Sequence, residues 1–192
     1  MAYRPPILAV VAAAALAVAG CGGSSSPEGT PPADWAQSVC GALSDWQTSL
    51  QEKSQSLTQD VLQAKSPNAA KEQISTFLSD VIVETETMIG AVDAAGQPAV
   101  DQGGQIAEDF HNGLNRMRDA FKDAASDVQS VPTDDPQAFQ QQLTQIGTEL
   151  STQGQAIGST LGEIDQKYDA EELNKAFDEN PTCKDFTAAS SG

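Results

Sequence analysis

Hydrophobic residues recur along most of this chain at alternating steps of three and four. The first such stripe is Trp35, Val39, Leu43, Trp46, Leu50, Leu57 and Val61. That spacing places them on one face of an α-helix, whereas a strand would alternate strictly. Asp34 stands ahead of the stripe with Gln37 three residues on, which predicts an N-cap and capping box. Lys65-Ser66-Pro67-Asn68 interrupts the helix after Ala64, and Ser66 followed by Pro67 predicts the cap of a second one. Its stripe is Ile74, Leu78, Val81, Thr85, Met88, Val92 and Ala95, widened by Phe77, Ile82 and Ile89, and Gly96-Gln97-Pro98 ends it.

A third stripe runs through Ile106, Phe110, Leu114, Met117, Phe121, Ala124 and Val128. After Pro132-Thr133-Asp134-Asp135-Pro136, with Asp135 as cap, comes a fourth: Phe139, Leu143, Ile146, Leu150, Ile157, Leu161, Ile164 and Tyr168. Asp169 and Glu172 offer a further capping box, so a short helix over Ala170–Phe177 is expected behind a kink. Four helices of about 27 to 32 residues, ~40 to 48 Å long, joined by short connections, make successive neighbours antiparallel. The expected fold is all-α: an up-down-up-down four-helix bundle over 34–186, with a short extra C-terminal helix and a disordered tail at 187–192.

The start of the chain breaks this pattern. Arg4 precedes an unbroken apolar run, Ile7 to Val18, and Val18-Ala19-Gly20-Cys21 closes it with small residues and a cysteine. That is the order of a secretory signal peptide over 1–20, and the run is short for a bilayer span of roughly 20 residues. A plain cleaved signal and an uncleaved anchor are the alternatives. Val18-Ala19-Gly20-Cys21 resembles the lipobox of bacterial lipoproteins. The resemblance implies cleavage before Cys21, a lipid on that residue and a cell-membrane location on the extracytoplasmic face. Gly22-Gly23-Ser24-Ser25-Ser26 would begin a flexible tether over 21–33.

Cys40 and Cys183 remain once Cys21 is assigned to lipid. An even pair in an exported protein reads as a disulfide rather than two free thiols. It also fits the bundle, because an up-down-up-down path returns the end of helix four to the start of helix one. Asp34-Trp35-Ala36-Gln37-Ser38-Val39-Cys40 and Pro181-Thr182-Cys183 give the mature chain a resemblance to small, acidic, disulfide-closed lipoproteins and secreted helical proteins of high-GC Gram-positive bacteria. That resemblance implies fold and location and carries no activity.

The net charge is -17, and about -18 without the leader. Such a surface repels nucleic acid, whose binding needs Lys and Arg against phosphates. It suits solubility outside the cell, or attraction to a basic partner.

Candidate chemistry is sparse. Glu108-Asp109-Phe110-His111 holds the Glu-x-x-His spacing of di-iron bundles, but the stripe turns Glu108 and His111 toward solvent and His111 is the chain's only histidine. Asp119, Asp123 and Asp127 share a helix face, read as solvated. Gly147, Gly154, Gly158 and Gly162 weaken helix four, and the row Gly154, Gly158, Gly162 reads as close backbone packing or simple tolerance, with a bend or room for a ligand as the alternatives. Lys53, Ser54, Thr85, Gly113 and Gln153 interrupt the stripes near mid-length, as a small cavity, a register device or a misplaced heptad phase. Trp35 and Trp46 belong to the core or form an exposed aromatic pair. The sequence thus assigns no catalytic, metal or ligand-binding residue and needs no cofactor. The expectation is a non-enzymatic, membrane-tethered module binding an envelope or secreted protein, with a carrier or sensor of a small apolar ligand as the alternative.

Overall fold

The computed structural model describes residues 28–184, apart from the side chains of 157 and 160–166. The leader, Cys21 and the tail at 187–192 lie outside the described residues. Within them the chain is a helical bundle: α1 (Pro32–Gln63), α2 (Pro67–Ala94), α3 (Gly103–Ser130), α4 (Pro136–Lys167) and α5 (Glu171–Glu179). A further helical turn covers 181–184.

Two of the expected starts are built as the sequence implies. Ser66 Oγ accepts the Ala69 N–H at 3.2 Å, with Pro67 opening α2. The Asp135 carboxylate accepts the N–H groups of Gln137 and Ala138 at 2.8 and 3.1 Å. Two others are corrected. Helix α1 begins earlier, behind Pro31, with proline in its first turn and no side-chain cap. Asp34 therefore lies inside that turn, where its charge faces the positive end of the helix dipole. Helix α5 likewise starts behind Ala170 without a side-chain cap, so Asp169 and Glu172 form no capping box.

Helix α1 packs on α2 and α5, α2 on α3, and α3 on α4. Side-chain pairs fix the register. Trp46 Nε1 donates to Thr85 Oγ1 at 3.0 Å, and Lys53 reaches Asp80 and Glu84 at 3.4 and 3.7 Å. As numbers rise on α1 they fall on α2. Between α2 and α3, Lys122 pairs with Glu86 at 2.8 Å and His111 with Asp93 at 2.7 Å. Lys71 donates to the carbonyls of Gln129 and Val131 at 2.6 and 2.8 Å, partnering oxygens that the end of α3 leaves open.

The core is uneven along its length. One end buries Trp35, Val39, Met88, Ile89, Val92, Ile106, Leu114, Tyr168 and Leu173 together. The middle centres on Leu78, Ala124 and Val128, and the far end on Ala70, Val131 and Phe139. Among the described residues α1 and α4 meet at most marginally. The chain returns to α1 through Tyr168–Cys183 rather than along the length of α4. Leu50 and Leu57 are accordingly only half-buried, and every described side chain at 151–159 is exposed.

Candidate functional site

Among the described residues, cross-links concentrate at the end where α1 begins. Four segments meet there: the start of α1, the turn between α2 and α3, the start of α3 and the α4–α5 junction. Trp35 is 1% exposed. Its ring stands edge-on to Phe110 and Phe177, with centroids 5.9 and 5.8 Å away, a favoured aromatic geometry. Its indole N–H donates to the Gly96 carbonyl at 2.8 Å, so the buried ring leaves no orphan donor.

One turn beyond, Cys40 is joined to Cys183 by a disulfide, both cysteines being buried. Asn180 positions the second of them by accepting the N–H groups of Thr182 and Cys183. The α4–α5 junction is fixed from α3: the Asp109 carboxylate accepts from Lys167 Nζ at 2.6 Å and from the Tyr168 hydroxyl at 2.7 Å. The hydrogen bonds of Lys167, then Tyr168, hold the Asp109 carboxyl below the usual carboxylate range. Asp109 in turn raises the Lys167 ammonium above its ordinary value. At mid-length Lys122 lowers Glu86 in the same way, chiefly through its hydrogen bond.

Other residues singled out from the sequence stay apart. Glu108 is exposed. His111 is half-exposed and its Nδ1 faces Asp93, so Glu108 and His111 are not joined as a ligand pair. Among the described residues no group of three or more His, Cys, Asp and Glu side chains is spaced to hold a metal. Asp119 pairs with its neighbour Arg118 at 2.7 Å, and Asp119, Asp123 and Asp127 are exposed.

The polar residues expected near mid-length form no common layer. Thr85 is fully buried. It takes the Trp46 indole N–H and donates to the Val81 carbonyl at 2.7 Å. Lys53 is ion-paired, Gly113 is buried and Gln153 is exposed. Only Thr85 acts as a register device, a buried hydroxyl matched to one indole, while exposed Gln153 reflects a misplaced heptad phase. Both tryptophans therefore belong to the core.

Gly147, Gly154 and Gly158 do not serve close packing, and Gly162 lies outside the described surroundings. A Cβ added at Gly147, Gly154 or Gly158 would meet nothing within 4 Å. A shallow cleft between α3 and α4 has about 10 Å³ of space, enough for one water molecule. Asp123, Asp127 and Glu149 stand at its rim, surroundings that suit water better than an apolar ligand.

Sequence reasoning missed three features: the Asp109–Lys167–Tyr168 cluster, the Asp93–His111 pair, and the binding of residues 28–31 to the α2–α3 turn. The last removes 28–33 from the tether expected over 21–33, because Thr30 is hydrogen-bonded to that turn and α1 already starts at Pro32. Among the described residues no helix is long and apolar enough to cross a membrane. Compared with known proteins, the chain matches no family model, no curated sequence and no solved structure.

Proposed function

We propose that this protein is a membrane-tethered extracytoplasmic lipoprotein, processed before Cys21 and carrying lipid there. Its helical body is a non-enzymatic module that binds another envelope or secreted protein. One observation carries the location: a basic start, an apolar run and Val18-Ala19-Gly20-Cys21 in the order of a lipoprotein leader. The Cys40–Cys183 disulfide agrees with an oxidising compartment. The binding role is supported by long acidic helix faces, which would steer toward a basic partner.

The body's topology in this reading is an up-down-up-down bundle of α1–α4. The register of Trp46 with Thr85, of Glu86 with Lys122 and of Asp109 with Lys167 supports it. Among the described residues the bundle is open along the α1–α4 side, and α5 with the disulfide bridges that side at one end.

In-cell crosslinking followed by native mass spectrometry tests the role. A stoichiometric protein partner, lost when Cys21→Ala releases the protein from the membrane, is the expected result. A persistent small molecule in place of a protein would overturn it.

A further inference from the structure

The segment entering α1 caps the exit of α2. Three successive carbonyls just past the last residue of α2 each find a donor in this segment or in the first turn of α1. Thr30 Oγ1 donates to Ala95 O at 2.6 Å, Trp35 Nε1 to Gly96 O at 2.8 Å, and Thr30 N–H to Gln97 O at 2.8 Å. The bonding is returned: Ala99 N–H donates to Thr30 O at 2.7 Å, and Gln97 Nε2 to Glu28 O at 2.7 Å.

Gly29 makes the approach possible. Its φ is 151°, and a Cβ there would lie 2.5 Å from Gln97 O. Pro98, opposite Thr30 in an isolated parallel bridge, is fully buried. Carbonyls in a surface turn are ordinarily partnered by water or by near neighbours in the chain. Here they are satisfied by a stretch more than sixty residues earlier in the chain.

We propose that Glu28–Pro31 is a structured strap that sets which end of the domain faces the bilayer. This rests on the lipid-anchor reading above and deepens it by assigning the membrane-facing end. Six residues separate Cys21 from Glu28, and the seven steps from one to the other span at most about 25 Å when fully extended. The α2–α3 turn is thereby confined to the neighbourhood of the headgroups. The opposite end carries the α1–α2 turn at 64–66 and the α3–α4 turn at 131–135. It lies one α2 length away, about 42 Å for 28 residues.

The test uses the full-length lipidated protein, disulfide intact, in vesicles of phosphatidylcholine and phosphatidylglycerol bearing a headgroup acceptor dye. A donor dye is placed on Asp101→Cys at the strapped end or on Lys65→Cys at the distal end, both exposed sites. Energy transfer several-fold greater from position 101 is expected. Equal transfer from both sites on bound protein would overturn the orientation while leaving the anchor reading standing. Failure of the wild-type protein to associate with vesicles would overturn both.

Amide exchange tests the strap without any membrane. The N–H groups of Thr30 and Ala99 should exchange at least a hundredfold more slowly than unprotected amides. Gly29→Ala should abolish that protection and narrow the contrast in transfer, with helix content unchanged. Unprotected Thr30 and Ala99 in the wild-type chain would overturn the strap itself.

Discussion

Removing the Cys40–Cys183 link, as Cys40→Ser with Cys183→Ser, should cost this domain a large part of its stability while leaving the native fold in place. The two cysteines are 143 residues apart, so the bridge closes almost the whole helical body into one loop. The chain-entropy relation gives about 17 cal/mol/K for a loop of that size, or about 5 kcal/mol at 25 °C. Total stabilities of small domains run from roughly 5 to 15 kcal/mol. The native contacts around the bridge do not depend on it: Trp35 still meets Phe177, and Leu173 stays in the core. The far-ultraviolet circular dichroism of the variant at 25 °C should therefore match that of the oxidised protein. Its urea midpoint should fall by about 2 M, taking a slope of roughly 2 to 3 kcal/mol/M. A midpoint shift below about 0.5 M would refute the reasoning, because the loop would not then be constraining the unfolded chain.

Three further outcomes follow. Thr85→Val deprives the Trp46 indole of its acceptor and should destabilise by about 1 to 3 kcal/mol. In a urea-based double-mutant cycle with Trp46→Phe, the combined loss should be smaller than the sum of the two, and strict additivity would contradict a paired register device. Gly154→Ala and Gly158→Ala sit in open helical positions, and each should raise stability by up to about 1 kcal/mol; a loss in thermal unfolding would mean that this face is covered. Asp109→Asn should be less stable than wild type at neutral pH. The native Asp109 carboxyl titrates below its unfolded value of roughly 3.9. Its contribution is therefore full above that value and disappears as pH falls through the native one. The difference between the two proteins, followed by urea unfolding across pH 2 to 7, should vanish at the acid end, and a constant difference would sink the assignment.

How much of this was legible beforehand differs from element to element. The buried face of α2 was written in its stripe: Leu78, Val81, Thr85, Met88 and Val92 are all buried, because helical period alone decides which residues share a face. The caps at Ser66 and Asp135 were legible because their signals are local. Period does not say which neighbour covers a face, so the partial exposure of Leu50 and Leu57 and the separation of α1 from α4 could not be read from it. The strap was invisible for a related reason. Its hydrogen bonds run from Glu28 and Thr30 to residues 95–99 and leave no periodic trace; Gly29 beside Thr30 was the only local mark. Asp109 was noted only as part of a Glu-x-x-His match. Its partners, Lys167 and Tyr168, lie 58 and 59 residues away, and only the kink at the end of α4 hinted that something must hold it.

The central claim is an anchored, disulfide-closed helical body, and it is tested most directly by non-reducing peptide mass mapping of the membrane-extracted protein. The expected result is an N-terminal peptide beginning at lipid-modified Cys21 together with a Cys40–Cys183 crosslinked peptide. An unmodified Cys21, or Cys40 and Cys183 recovered as free thiols, would contradict it.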